Sequence, residues 1–105
     1  MNESKTNDKK KSLRLVSPRL YNYITEKLED KHNIHSYDLQ IDASLMDEGI
    51  EIAIRFGETF SNIETKFFTH EQVKEISKEV KEFVAQTGEA CTEVLIDDYF
   101  KIHAP

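Results

Sequence analysis

Large apolar side chains occupy every second position from residue 50 to residue 56, and this pattern constrains the fold more than any other. The apolar positions are Ile50, Ile52, Ile54 and Phe56, and the intervening ones are Glu51, Ala53 and Arg55. A period of two is typical of a strand with one face in a core and one face in water. Such a strand needs neighbouring strands and an apolar layer to cover it.

Two flanking segments have the same period and predict the neighbouring strands. Residues 37–43 place Tyr37, Leu39, Ile41 and Ala43 on one side, and residues 62–67 do the same with Ile63, Thr65 and Phe67. Turns are predicted at residues 46–49, with Gly49 at positive φ, and at Gly57-Glu58. Because the connections are short, we expect a three-stranded antiparallel meander.

Two helices are predicted around this meander. The first begins at Ser17-Pro18, a capping residue followed by a proline suited to the first helical position, and ends near Asn33. Its apolar stripe is Leu20, Ile24 and Leu28. The second begins at Thr69, where Gln72 completes a capping-box pattern, and ends at Gly88. Its stripe is Val73, Ile76, Val80, Phe83 and Val84.

The last segment, residues 91–102, predicts a C-terminal strand with an irregularity at Asp97-Asp98, and a short helix from Asp97 is the alternative. The predicted fold is therefore a two-layer α+β domain. Its order is helix, three-stranded antiparallel meander, helix and C-terminal strand, with both helices on one sheet face.

Charge is spread unevenly along the chain, and residues 1–12 are polar with no periodicity. The net charge is −6, yet residues 1–19 carry +4 and the remaining 86 residues carry −10. We expect residues 1–12 to form a disordered basic tail and residues 13–105 a single domain. An acidic domain repels phosphate backbones, which argues against a nucleic-acid partner.

The predicted order of helix, three strands and helix resembles that of double-stranded-RNA-binding domains in topology alone. Those domains present basic residues at the start of the last helix. Here residues 69–72 read Thr-His-Glu-Gln, so the electrostatic part of the pattern is missing.

Cysteine content and hydropathy predict a cytoplasmic protein without a membrane partner. Cys91 is the only cysteine in the sequence, so no intramolecular disulfide can form. No apolar run has the length of a signal peptide core or a membrane span. We expect Cys91 to be an unreactive buried thiol, because its neighbours are acidic rather than basic.

Motif searches predict neither an enzyme nor a cofactor. The sequence has no nucleophile, zinc-protease or glycine-rich phosphate motif, so no catalytic residue is assigned. His32 and His35 are weak candidates for metal binding, since three-residue spacing can place two imidazoles on one ion. The Asp97-Asp98 pair could hold a proton or a hard cation. These residues carry the alternative hypothesis of a small metal-dependent enzyme or factor.

The favoured interpretation is a non-catalytic module that binds a protein partner or forms a homodimer. The C-terminal segment is more apolar than a solvated terminus needs. The predicted interface residues there are Val94, Ile96, Tyr99, Phe100 and Ile102. They could act by edge-strand pairing or by helix packing. A further hypothesis is an adaptor whose basic tail binds an anionic partner.

Overall fold

The computed structural model describes the backbone of residues 10–103 and the side chains of residues 10–101, and it has an α+β fold. Four strands and four helices occur in this part of the chain. They are β1 (Lys10–Ser12), α1 (Leu13–Val16), α2 (Pro18–His32), β2 (Leu39–Leu45), β3 (Gly49–Phe56), β4 (Asn62–Thr69), α3 (His70–Glu75) and α4 (Lys78–His103). Two short 3-10 turns lie at Ser36–Asp38 and Glu58–Phe60.

The four strands form one antiparallel sheet in the order β1-β2-β3-β4. The predicted meander of three strands is confirmed as β2, β3 and β4. The structure adds β1 at the outer edge of β2, with Lys11 opposite Ala43. Lys10–Ser12 are thus part of the sheet rather than of the predicted tail. The prediction of disorder for residues 1–9 lies outside the described residues.

One face of the sheet builds the core with the helices. Ile41 is paired with Ile54 across β2 and β3, and both side chains are buried. The buried side chains of α2 and α4 join this face in a single cluster. The opposite face carries polar side chains, among them Asp42, which is 3.2 Å from the guanidinium of Arg55. The two long helices therefore cover the same side of the sheet.

The prediction of which side chains in the last meander strand face the core was wrong. Because Ile50 pairs with Phe68 and Ile52 with Lys66, the even-numbered residues of β4 share the core side of β3. Phe68 is fully buried, whereas Ile63 and Phe67 lie on the outer face and are exposed. The sequence has apolar residues at both parities in β4, so alternation alone could not choose the inward set.

Two details around the first hairpin also differ from expectation. Tyr37 lies in the 3-10 turn before β2 and is 77% exposed, so it is not a core residue of the sheet. Gly49 does not have positive φ; among the described glycines only Gly57 does. Gly49 is instead required for close packing, because a Cβ there would collide with the backbone of Phe68 and Thr69.

The first predicted helix is confirmed at both ends. Ser17 caps α2 by accepting a hydrogen bond from the backbone N–H of Leu20, and Pro18 takes the first helical position. Asn33 ends the helix in the left-handed conformation, with its N–H bonded to the carbonyl of Glu29. The whole apolar stripe of three residues is buried.

The second predicted helix begins as expected but is interrupted. Thr69 and Gln72 form the predicted capping box of α3. The chain then breaks at Ile76, which has φ 50° and ψ 67°, and Ser77 caps the next helix by accepting from the N–H of Val80. The break turns one predicted helix into α3 and α4.

The predicted C-terminal strand and the predicted helix end at Gly88 were both wrong. α4 continues through Gly88 to His103, so it also replaces the alternative of a short helix from Asp97. Cys91, Val94 and Leu95 have the spacing of a helix face, and no proline or turn signal lies between Gly88 and Phe100 to force a new element. Within residues 10–103, no helix, α4 included, combines the length and apolarity that a membrane crossing requires.

Candidate functional site: the end of α4 and the cleft beside α2

The C-terminal end of α4 exposes large apolar side chains. Ile96 is 49% exposed and Phe100 is 62% exposed, and they lie one helical turn apart. Tyr99 is also exposed and packs edge-to-face against Phe100. Val94 instead packs partly buried against the core. The structure thus brings together three of the five predicted interface residues; the side chain of Ile102 lies outside the described part.

Acidic residues occur in the same segment of α4. Between Glu89 and Phe100 the sequence holds four acids, Glu89, Glu93, Asp97 and Asp98, and no Lys or Arg. We name residues 89–100 the acidic apolar end of α4.

A cleft of about 420 Å³ lies between α2 and the first half of α4, and its walls are basic. Its charged lining residues in the described structure are Lys27, Lys31 and Lys81, with His32 beside them. Its apolar lining residues are Leu28, Val84 and Ala85, of which only Ala85 is exposed. We name this feature the basic cleft.

Tyr23 completes one wall of the basic cleft and positions a lysine. The Nζ atom of Lys27 lies 5.8 Å from the centroid of the Tyr23 ring, which is within cation–π range. Tyr23, Lys27 and Lys31 follow one another at spacing four, so they form one row along α2. The row concentrates positive charge on a domain whose residues 20–105 carry −10.

The two histidines proposed as metal ligands have separate surroundings. The ring of His32 lies against Gly88 of α4. His35 follows α2, with its Nδ1 atom 3.5 Å from the Glu29 carboxylate and its ring stacked on Tyr37. Among residues 10–101, no group of three or more His, Cys, Asp or Glu side chains is arranged to hold a metal ion.

Asp98 has a structural partner that the sequence did not suggest. Its Oδ2 atom accepts a hydrogen bond of 3.0 Å from the backbone N–H of Glu58. The turn that starts at Glu58 is strained, because Thr59 and Phe60 both have positive φ. Asp97 and Asp98 line a polar cleft of about 520 Å³ beside this turn. Asp98 therefore helps to hold a strained turn against α4.

Two buried polar groups of α4 lie on its core side. Cys91 is fully buried, and burial, followed by the nearby charge of Asp38, raises the pKa of its thiol to about 11. The expectation of a buried thiol with raised pKa is confirmed, although burial and not acidity is the main cause. The hydroxyl of Thr87 is buried and has no hydrogen-bond partner in the described structure.

Sequence reasoning missed the basic cleft. The signal was present, since Tyr23, Lys27 and Lys31 recur at spacing four beside the apolar stripe of α2. Lys81 stands among alternating charges in sequence, so its place in the cleft becomes visible only when α4 packs on α2. The helix pairing also depends on Gly88, whose sequence context predicts a helix end.

Comparisons with protein-family models, with curated proteins and with solved structures found no match to this chain.

Proposed function

We propose that the protein is a non-catalytic assembly module that forms a homodimer through the acidic apolar end of α4. The observation that carries the proposal is the exposure of Ile96 and Phe100, one turn apart, on a helix whose earlier turns pack into the core. Large apolar side chains grouped on a surface are typical of protein interaction sites. Helix packing is the route that α4 offers, because the predicted pairing by a C-terminal strand has no strand to use.

The free energy gained by burying Ile96 and Phe100 can be compared with the cost of association. Burial of a side chain such as Ile or Phe contributes about 1.5–3 kcal/mol. A twofold dimer buries each side chain in both copies, and because Ile96 and Phe100 are only about half exposed beforehand, together they supply roughly 3–6 kcal/mol. Association itself costs about 4–15 kcal/mol in lost freedom. The end of α4 therefore needs additional apolar and electrostatic contacts from the surface that receives it.

The free edge of the sheet is a weaker candidate for self-association. β4 is one of the two edge strands, and Glu64 and Lys66 project from it on the core side. Charged residues on an edge strand oppose pairing with a second sheet. The outer face of β4 does expose Ile63 and Phe67, but polar residues of β2 and β3 share that face.

Paired surface substitutions test the proposal. The variant with Ile96→Ser and Phe100→Ser removes the apolar end of α4. A matched control with Leu15→Ser and Tyr37→Ser removes two other strongly exposed apolar side chains, at 75% and 77% exposure. Light scattering on the full chain should show a dimer for the parent and the control and a monomer for the first variant. A dimer that survives Ile96→Ser with Phe100→Ser would overturn the proposal.

A further inference from the structure

We infer that the basic cleft between α2 and α4 binds a small polyanion, that is, a small molecule with two or more negative charges such as an oligophosphate or a tricarboxylate. This site goes beyond the proposed dimer and is separate from its contact. It uses Lys81, Val84 and Ala85 of α4, whereas the acidic apolar end of α4 begins at residue 89.

The basic cleft concentrates positive charge on an acidic domain. Lys27 and Lys31 enter it from α2 and Lys81 enters it from α4, and none of its described lining residues is acidic. Residues 20–105 as a whole carry −10. A concave site lined by charge of one sign raises the local concentration of ions of the opposite sign. The basic cleft is therefore the place on this domain that attracts an anion.

The three lysines are not neutralised by carboxylates of their own chain. Among residues 10–101, the ion pairs join other side chains, and Lys27, Lys31 and Lys81 take part in none of them. Helix positions three and four residues away from a lysine are its usual sites for an acidic partner. Around these three lysines, those positions within α2 and α4 hold a single acid, Asp30. A bound anion would therefore meet little competition for the ammonium groups.

Two polar side chains of the basic cleft are positioned by packing contacts. The Nζ atom of Lys27 lies 5.8 Å from the centroid of the Tyr23 ring, so the aromatic ring restrains this lysine. The ring of His32 lies against Gly88 and is half-buried. Groups that are ordered before a ligand arrives lose less freedom when it binds. Lys31 and Lys81 have flexible stems and adjust to the ligand.

The lining and the size of the basic cleft define the class of ligand. Leu28 is fully buried and Val84 is 2% exposed, so a ligand is held by charge and hydrogen bonds rather than by apolar contact. The volume of about 420 Å³ lies in the range of small-molecule sites. Three ammonium groups balance an anion of two or three charges. Lysine binds phosphate as a point charge and does not select planar carboxylates as arginine does, so both anion types belong to the class.

Amide NMR titrations of the full chain test the site with two probes, sodium pyrophosphate and sodium citrate, at constant ionic strength set with sodium chloride. The amide signals of the residues that line the basic cleft should shift and saturate at roughly millimolar probe concentration. Sodium chloride alone should not shift them. Saturation by pyrophosphate only identifies the ligand as a phosphate compound, and saturation by citrate only identifies it as a carboxylate. Saturation by both supports the shared polyanion chemistry.

Matched charge deletions locate the binding. Lys31→Gln with Lys81→Gln removes two cations from the basic cleft and should weaken binding about tenfold or more. The control, Lys66→Gln with Lys74→Gln, removes equal charge at exposed positions outside the cleft and should bind like the parent. Circular dichroism establishes that both variants are folded. If neither probe shifts the cleft signals, or if the control weakens binding as much as the cleft variant, the site is overturned. Light scattering tests the proposed dimer separately, so neither result decides the other.

Discussion

The ring of His32 occupies the space that a side chain at position 88 would need. A Cβ atom built on Gly88 would lie 2.9 Å from Cε1 of His32 and closer still to its Cδ2 and Nε2 atoms. Because real Cβ atoms do not approach other atoms this closely, the pair sets how near α2 and α4 can pack. The basic cleft lies beside this contact, so its width depends on it.

We predict that Gly88→Ala destabilises the protein despite its better helix propensity. The displaced imidazole costs about 1–3 kcal/mol, as overpacking does elsewhere, and the helix gains only about 1 kcal/mol. In a His32→Ala background the collision is absent, so Gly88→Ala should become neutral or stabilising by up to about 1 kcal/mol. Urea unfolding of the four proteins in this cycle measures both effects. If Gly88→Ala changed the free energy of unfolding equally in both backgrounds, the close contact between position 88 and the His32 ring would be refuted.

Thr87 offers a stabilising substitution. Its buried hydroxyl lacks a hydrogen-bond partner in the described structure, and an unsatisfied buried polar group costs about 1–3 kcal/mol. Valine has the same shape without the hydroxyl, so Thr87→Val should raise the free energy of unfolding by about 1 kcal/mol.

Thr92→Val is the matched control for this measurement. The hydroxyl of Thr92 donates to the carbonyl oxygen of Gly88 at 2.8 Å, so its removal should give no such gain. Thermal or urea unfolding compares the two variants, and a larger gain at position 92 than at position 87 would contradict the account.

The Cys91 thiol should be inert in the native protein. Burial raises its pKa from 9.0 to about 11, so the thiol is protonated and inaccessible at pH 8. We predict that iodoacetamide modifies it only after unfolding, as mass spectrometry would detect. Rapid modification under native conditions would contradict the packing of α4.

The same raised pKa gives a pH dependence of stability. Below pH 9 the thiol is protonated in the folded and unfolded states, and its stabilising effect is fully present. Between pH 9 and pH 11 the unfolded state loses the proton first, so stability falls as pH rises. Over this window the parent should lose up to about 2 kcal/mol more than a Cys91→Ala variant. Parallel losses in the two proteins would exclude the thiol as the cause.

Asp98 should stabilise the strained turn at Glu58–Phe60. Asp98→Ala removes the acceptor for the Glu58 N–H and should cost about 1 kcal/mol. Hydrogen exchange at the Glu58 amide should become faster. Asp97→Ala is the adjacent control, and an equal effect of both substitutions would argue against a specific role of Asp98.

The sequence predicted those elements whose boundaries depend on contacts between neighbouring residues. Ser17, Pro18 and Asn33 bound α2 through caps that involve only neighbouring residues. The alternation from Ile50 to Phe56 identified β3, because one buried and one solvated face demand a period of two. The Thr69 and Gln72 capping box likewise marked the start of α3.

The remaining features depend on contacts between distant residues. Gly88 resembles a helix end in sequence, but the His32 ring across the helix interface explains it as a packing position. Phe68 is buried because of its register with Ile50, which alternation within β4 could not reveal. The basic cleft needs α2 and α4 side by side, so no local pattern could have assembled its three lysines.

Sedimentation equilibrium of the unmodified full chain tests the central claim most directly. The account predicts a mass of twice the 12.2 kDa chain at high micromolar concentration, with dissociation on dilution. A single species of 12.2 kDa at every concentration and salt level would contradict the claim.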